Sequence, residues 1–208
     1  MDIELNATDA RVLGALLEKE LLTPDIYPLS LNSLVSACNQ TTSRDPVTTL
    51  DEVAIMSALD SLRAKKLSVT VVQAGSRVPK YSQQLTRQIN LHPPEHAILC
   101  LLLLRGPQTI GELKTRSGRL YEFADLEEVE KTLIRLEEER YPARVAKLPR
   151  QPGMKESRYA QLLCGAVAAP EVSLSLSVSA SMAERVARLE EEVAALREEL
   201  ARFKQQFD

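Results

Sequence analysis

Residues 153–163 read Gly-Met-Lys-Glu-Ser-Arg-Tyr-Ala-Gln-Leu-Leu and resemble an earlier stretch, residues 75–85, which reads Gly-Ser-Arg-Val-Pro-Lys-Tyr-Ser-Gln-Gln-Leu. The two stretches share a glycine, two basic side chains, a tyrosine and a glutamine. In order, the matching pairs are Arg77 with Lys155, Lys80 with Arg158, Tyr81 with Tyr159, and Gln83 with Gln161. Each stretch follows a helix-patterned segment and a short β-like run, which predicts a β-hairpin with a basic turn.

The helix-patterned segments before the two hairpins repeat as well. An offset of 74 residues aligns two apolar stripes, which consist of Ile55, Leu59 and Leu62 in the first copy and Val129, Leu133 and Leu136 in the second. Three helices followed by a basic hairpin are typical of a winged helix-turn-helix domain. We predict an α+β, mostly helical chain with two such domains in tandem, at residues 1–90 and 91–165, then a linker (166–181) and a coiled-coil helix (182–208).

Caps and breakers predict where the individual elements begin and end. In the first copy we expect Thr8-Asp9 to cap a helix from Ala10, an extended piece at Asp25–Tyr27, a helix capped by Ser30, a helix over Leu50–Lys66, and strands at Ser68–Gln73 and Lys80-Tyr81. In the second copy we expect helices at Glu95–Leu104, Ile110–Arg116 (capped by Thr109) and Leu126–Arg140, and a strand at Arg144–Leu148.

The net charge of −3 is unevenly distributed along the 208 residues. Residues 1–90 carry 9 basic and 10 acidic side chains, residues 91–165 carry 12 and 11, and residues 166–208 carry 5 and 8. The predicted domains are therefore nearly neutral, and nucleic acid would have to bind a local basic patch. The chain starts without a secretory signal and has no apolar run long enough to cross a membrane, so we expect a cytoplasmic protein with no membrane association.

The C-terminal segment has the apolar spacing of a coiled coil. Its seam residues follow one another at alternating steps of four and three: Met182, Val186, Leu189, Val193, Leu196, Leu200 and Phe203. Branched residues at a and a Leu-rich d favour a parallel dimer. The flanking positions place Arg or Lys opposite Glu in three interchain pairs. A homodimer is the leading interpretation, and a single amphipathic helix folded onto its own core is the alternative.

The sequence motifs that come nearest to a catalytic or metal site each lack a required residue. Residues 106–114 have the glycine spacing of a P-loop, but Glu112 and Leu113 stand where Lys and Ser/Thr are required. The two histidines, His92 and His96, have no cysteine or third histidine beside them, and three widely spaced cysteines indicate free thiols. We therefore expect a non-enzymatic protein without a metal or another cofactor.

Basic and amide side chains cluster in the hairpins and in the loops before the third helices. The candidates for contact with double-stranded DNA are Asn39, Gln40, Arg44, Arg77, Lys80, Lys114, Arg116, Arg119, Lys147, Arg150, Lys155 and Arg158. The third helices are acidic, however, and carboxylates repel phosphates. Two hypotheses follow: a DNA-binding regulator that holds phosphates through its hairpins, or a scaffold whose winged helices and tail bind an unknown protein partner.

Several stretches together resemble the YceH-like family of bacterial proteins. They are Leu-Leu-Glu-Lys (16–19), Thr-Pro-Asp-Ile-Tyr-Pro-Leu-Ser-Leu-Asn (23–32), Ala-Cys-Asn-Gln (37–40), Gly-Ser-Arg-Val-Pro-Lys-Tyr (75–81), Leu-Leu-Leu-Arg-Gly-Pro-Gln-Thr (102–109), Gly-Glu-Leu (111–113) and Pro-Gly-Met-Lys-Glu-Ser-Arg-Tyr (152–159). The resemblance implies tandem winged helices but supplies no activity or catalytic residue. Where the family tends to have Lys after Gln40, this chain has Thr41, which weakens the phosphate-binding hypothesis for that loop, although Arg44 keeps its place.

Overall fold

The computed structural model describes residues 3–72, 78–139, 142–150 and 153–165, which fall within one compact unit, Met1–Ala169. The predicted linker (166–181), the coiled-coil segment (182–208) with all its seam residues, and Arg77 lie outside the described residues. Within them the structure confirms the α+β class, with seven α-helices and two small antiparallel sheets.

The first part of the chain is a helical layer followed by a small sheet. Its elements are α1 (Ala7–Leu22), a 3-10 turn (Pro24–Ile26), β1 (Leu29–Ser30), α2 (Leu31–Cys38), α3 (Glu52–Ala64), β2 (Ser68–Val71), β3 (Lys80–Gln83) and α4 (Leu85–Gln88). The strands form an antiparallel sheet in the order β1-β3-β2. Tyr81 pairs with Leu29 on one side and with Thr70 on the other.

The second part repeats this order with shorter strands. Its elements are α5 (Pro93–Arg105), α6 (Ile110–Ser117), α7 (Leu126–Ile134), which continues as a π-helical turn (Arg135–Glu139), β4 (Val145–Lys147) and β5 (Tyr159–Gln161). Strands β4 and β5 are antiparallel, and Tyr159 also forms an isolated bridge with Gln108. This bridge stands where β1 stands in the first part, so both halves place the last strand between two neighbours.

The start of α1 corrects one sequence prediction. Asn6, not Thr8-Asp9, caps the helix, because the Asn6 side chain accepts the Asp9 backbone N–H at 2.8 Å. The Asp9 carboxylate is instead buried, and its Oδ2 accepts hydrogen bonds from Ser61 Oγ at 2.7 Å and Lys65 Nζ at 2.9 Å. Asp9 thus joins α1 to the end of α3, a long-range role that local cap statistics do not reveal.

Two further predictions are confirmed and one is wrong. Ser30 caps α2, and Thr109 caps α6 in a capping box with Glu112. The extended piece expected at residues 25–27 is wrong, because Pro24 opens a 3-10 turn over Pro24–Ile26. A proline at the first position of a helical turn loses no hydrogen bond, so it can begin a turn as well as interrupt one.

One continuous hydrophobic core runs through both parts. The two aligned stripes of α3 and α7 are fully buried or nearly so, as their spacing predicts: Ile55, Leu59, Leu62, Val129, Leu133 and Leu136. Helices α1 and α5 pack most closely at Gly14, where an added Cβ would stand 3.1 Å from Leu103 Cβ and 2.9 Å from Leu104 Cδ2. The Leu5 N–H also donates to the Leu163 carbonyl at 2.8 Å, which joins the two ends of the described unit. The boundaries proposed for two separate domains stay a prediction.

Candidate nucleic-acid interface

Three basic side chains of the second hairpin are exposed to solvent. Lys147 ends β4, while Arg150 and Lys155 follow it in the turn region. Lys147 Nζ lies 5.7 Å from the centroid of the Tyr159 ring, a cation–π distance that leaves its charge accessible. None of the three forms an ion pair with a carboxylate of the described residues. They are therefore the cations of this hairpin that remain available to an external anion.

Arg158, the fourth predicted cation of this hairpin, is already occupied. Its Nη1 donates to the Pro107 carbonyl at 2.7 Å and lies 3.0 Å from Glu112 Oε2. Burial raises the pKa of Glu112, but the Thr109 backbone N–H and the charges of Arg158 and Arg116 outweigh it and hold the pKa below its usual value. Glu112 is therefore ionised at neutral pH, and Arg158 is the weakest phosphate-binding candidate of the hairpin.

The basic residues of α6 are also partly engaged within the protein. Lys114 Nζ donates to the carbonyls of Phe123 and Ala124, at 2.8 and 3.1 Å, which fixes the loop before α7. Arg116 Nη1 donates to Gln108 Oε1 at 2.8 Å, and its Nη2 lies 3.4 Å from Glu112 Oε1. Both side chains hold loops in place.

Arg44 must be removed from the candidates because its side chain is inaccessible to solvent. Nη1 and Nη2 donate to the two Glu18 carboxylate oxygens at 3.0 and 2.6 Å, a bidentate pair. Nε and Nη2 also donate to the Ala37 carbonyl, at 3.1 and 2.7 Å. A fully bonded, buried guanidinium cannot reach a phosphate, and the loop sequence alone gave no sign of the distant partner on α1.

The two amide residues of the same loop have structural contacts. The Asn39 side chain donates to the Leu50 carbonyl at 2.7 Å and accepts the Leu50 backbone N–H at 2.8 Å, which closes the loop between α2 and α3. Gln40 Oε1 accepts from Arg44 Nη2 at 2.9 Å. Both the carbonyl oxygen and the amide nitrogen of the Asn39 side chain are therefore hydrogen-bonded within the protein. The Gln40 amide nitrogen bonds to no other described residue.

In the first hairpin, Lys80 is half-exposed on β3 and has no ion pair among the described residues. The structure places Lys80 in the first sheet, whereas Lys147 belongs to the second sheet. It brings Gln40, Arg116 and Arg119 together, around a cavity that also contains Lys19 and Arg105. Lys19 and Arg105 could not be recognised as part of a site from the sequence, because they come from α1 and α5, far apart in the chain, and neither belongs to a basic run.

Several carboxylates of the acidic third helices serve as caps or partners. Asp51 and Asp125 accept the backbone N–H groups of Ala54 and Glu128, each at 2.8 Å. Glu127 lies 2.8 Å from Lys131 Nζ on the same helix. These contacts explain why the acids stand at the helix starts, where they also complement the helix dipole. They do not make the helix surfaces attractive to phosphate.

The described residues hold no group of three or more His, Cys, Asp or Glu side chains that could bind a metal ion. Cys38 and Cys100 are buried free thiols, and Cys164 is an exposed one. Burial raises the pKa of the Cys38 thiol to about 12 and raises that of Cys100 as well, so neither is a thiolate at neutral pH. No helix among the described residues has the length and apolar character of a membrane span.

Comparison with known proteins finds relatives along most of the chain. Residues 5–154 match the family model described as "Protein of unknown function, DUF480". A UPF0502 protein of Geotalea daltonii is 55% identical over 165 residues, which cover 79% of this chain and 75% of the relative. A UPF0502 protein of Solibacter usitatus is 49% identical over 210 residues and covers both chains completely. A UPF0502 protein of Chromobacterium violaceum is 49% identical over 187 residues, with 90% and 84% coverage. The resemblance noted in the sequence is confirmed, and the chain belongs to the DUF480 family.

Proposed function

We propose that this chain is a non-enzymatic tandem winged-helix protein that binds double-stranded DNA and acts as a regulator. The observation that carries the proposal is the second hairpin, where Lys147, Arg150 and Lys155 are exposed and have no carboxylate partner among the described residues. Exposed Arg and Lys on such a hairpin can contact phosphates without reading bases. Binding of this kind depends on backbone charge and is sequence-tolerant.

The repeated element order supports the tandem winged-helix interpretation. In each half a first helix is followed by a short bridging strand, two more helices and an antiparallel hairpin. The last strand lies between the bridging strand and its hairpin partner in both halves. In helix-turn-helix proteins the second helix of the motif enters the major groove. Here the first turns of α3 and α7 are acidic, which favours phosphate contact by the hairpins over base contact by the helices.

The test is a gel-shift titration of the full chain with a random-sequence duplex at several salt concentrations. We expect Arg150→Gln combined with Lys155→Gln to weaken binding to all duplexes. If both side chains contact phosphates, the slope of log affinity against log salt should become less steep by about 1.8, since each contact contributes about 0.9.

Two single substitutions provide controls for the loss of charge. Arg158→Gln removes a hairpin cation that is paired with Glu112. It should therefore weaken DNA binding less than the replacement of Arg150 or Lys155 alone. Arg87→Gln removes an exposed cation of α4, outside the hairpin. Arg87→Gln removes one charge and the double variant removes two. A loss of binding free energy in Arg87→Gln of half the double variant's loss or more would show that only net charge matters, and would contradict a hairpin contact.

A scaffold function is the second candidate, and one observation favours it. Helix α7 exposes Leu126 and Ile134, 53% and 41% accessible, beside the acidic Glu127 and Glu130. Helix α3 exposes Val53, 76% accessible. Apolar side chains flanked by acids are suited to a protein partner and unsuited to DNA. Absence of any gel shift at micromolar protein and low salt would favour this function.

We also propose that the chain forms a parallel homodimer through residues 182–208. The support is the heptad spacing with matched flanking charges. Each exposed charge pair contributes only about 0.2–1 kcal/mol, so the apolar seam must supply most of the association energy. Light scattering should report a dimer for the full chain and a folded monomer after deletion of residues 182–208. A dimer that survives the deletion would place the interface in the preceding residues.

A further inference from the structure

A cavity of about 230 Å³ lies beside the buried Arg44–Glu18 pair. Its wall brings together side chains from α1, the loop after α2, α5, α6 and the loop that follows α6. Four of the lining residues are cations: Lys19, Arg105, Arg116 and Arg119. Glu18 is the one carboxylate among the described residues that line it. Four cations and one anion on a single small wall leave a clear excess of positive charge.

The single carboxylate is already neutralised. Glu18 accepts both hydrogen bonds from Arg44, and its Oε2 also lies 3.2 Å from Lys19 Nζ. Burial raises the pKa of Glu18, but the hydrogen bonds and the charge of Arg44 outweigh it and hold the pKa below its usual value. Glu18 therefore stays ionised at neutral pH and is shared by two cations. Its single negative charge is therefore smaller than the sum of the positive charges that line the cavity.

Two of these arginines form no hydrogen bond or ion pair within the described part of the chain. Arg105 Nε is buried and bonds to no protein atom, while Arg119 is exposed at the rim and forms no ion pair. Burial lowers the pKa of Arg105, and the nearby charges of Arg116 and Arg44 lower it further, while the more weakly acting carboxylates of Glu18 and Asp45 oppose this shift without cancelling it. A buried, unsatisfied donor on a charged group costs free energy that a bound anion would recover.

Neutral donors line the same wall. The Gln40 amide nitrogen and the hydroxyls of Thr42 and Ser43 bond to no other side chain or backbone group that the structure describes. Guanidinium groups and hydroxyl or amide donors that converge on one site match the several acceptor oxygens of a phosphate. The volume is below the range of about 300–1,000 Å³ that is typical of drug-sized ligands. It suits a compact anion or the phosphate end of a small metabolite.

We propose that this cavity binds a phosphate group, held by Arg105 and Arg119 with Gln40 and the Thr42-Ser43 hydroxyls as additional donors. The ligand would be inorganic phosphate or a small phosphorylated metabolite. Such a site would let a small effector bind the protein at a place distinct from the hairpin contacts proposed for DNA. It does not depend on DNA binding, because none of its residues belongs to the second hairpin.

The test is equilibrium dialysis of the full chain with radiolabelled inorganic phosphate, at constant ionic strength maintained with sodium chloride. We expect saturable binding of one phosphate per chain at roughly millimolar concentrations or below. Arg105→Gln combined with Arg119→Gln should weaken it by roughly tenfold or more, since charge-assisted hydrogen bonds to the anion are lost. Unlabelled glucose 6-phosphate and phosphoserine as competitors distinguish a metabolite site from a site for the free ion.

Matched variants keep the result interpretable. Arg119→Gln alone changes an exposed loop residue, so it should leave the fold intact and still weaken phosphate binding. Arg87→Gln removes the same charge elsewhere, and Arg150→Gln with Lys155→Gln removes the hairpin cations; both should bind phosphate like the original chain. Absence of saturable binding, equal binding by the Arg119→Gln variant, or an equal loss in the Arg87→Gln variant would overturn the proposal. Preferential binding of malonate over phosphate would overturn the ligand class.

Discussion

Replacement of Glu18 by glutamine tests how the buried ion pair contributes to stability. The variant keeps the size and one acceptor oxygen of the side chain but removes its charge. Arg44 would then lose its carboxylate partner while its side chain remains fully buried. It would keep its bonds to the carbonyls of Ala37 and Ser43 and to the Gln40 side chain. Arg44 would therefore remain in place as an uncompensated charge.

The expected loss follows from the cost of leaving one partner of a buried pair alone. Removal of one partner typically costs about 3–5 kcal/mol. Because the remaining amide oxygen still accepts a hydrogen bond, we expect a loss near 3 kcal/mol for Glu18→Gln. For a compact unit of this size, that lowers the melting temperature by about 6–12 °C. Asp60→Asn is the matched control, since Asp60 pairs with Arg63 at 2.7 Å but both side chains are more than half exposed. The control should lose no more than about 1 kcal/mol.

Urea unfolding of the original chain and both variants, followed by circular dichroism, measures the two losses. The pKa of Glu18 is lowered in the folded state, so its contribution to stability is complete above the unfolded pKa near 4.5. That contribution disappears as the pH falls through the lower folded pKa. The Glu18→Gln variant should therefore lack this acid-induced loss. Equal losses for Glu18→Gln and Asp60→Asn at neutral pH would refute the argument from burial.

Two further predictions concern the packing of α1 against α5. Gly14→Ala should lower the free energy of unfolding, measured in urea, by about 1–3 kcal/mol relative to Gly111→Ala. Both substitutions gain helix propensity, but only the Gly14 methyl meets Leu103 and Leu104. Equal effects would show that α1 and α5 can move apart at little cost in free energy. His96 should make the fold sensitive to mild acid. Burial lowers the pKa of His96 to about 4, although a hydrogen bond to the Leu17 backbone opposes this shift. Because the folded pKa is below the unfolded value, the contribution of His96 to stability is complete above pH 6.5. We expect up to about 3 kcal/mol to be lost between pH 6.5 and 4, and His96→Leu should remove that slope; a slope that persists in the variant would assign it to other groups.

The sequence predicted the repeating parts of the fold well because the repeat is carried by local spacing. The apolar stripes of α3 and α7 and the caps Ser30 and Thr109 depend on residues within a few positions of one another. The cap at Asn6 was missed because Asn and Asp are about equally good N-cap residues, so local preference does not choose between Asn6 and Asp9. The role of Asp9 is set by Lys65, more than fifty residues away. Short pairings such as the Gln108–Tyr159 bridge leave no periodic pattern to detect.

The candidate site was harder to predict because a basic side chain carries no mark of its partner. Arg44, Arg158 and Arg150 all lie in polar sequence segments, yet Arg44 forms an ion pair with Glu18 and Arg158 forms one with Glu112. Both carboxylates lie more than twenty residues away in sequence, so only the fold reveals the pairing. The same reason hid Arg105, whose position after an apolar helix suggested nothing more than a helix end. Cations can be counted in a sequence, but their availability depends on tertiary contacts.

The hydrogen bond between Leu5 and Leu163 makes the beginning and the end of the described unit spatial neighbours. Chains whose termini meet can often be circularly permuted without loss of the fold. A short glycine-serine connection from residue 165 back to residue 3, with new termini opened at the exposed turn Pro24–Ile26, is a natural design for the described unit. A reporter fused at residue 3 or at residue 165 of the described unit would stand close to the start of α1, and permutation alone could move it to another edge of this unit.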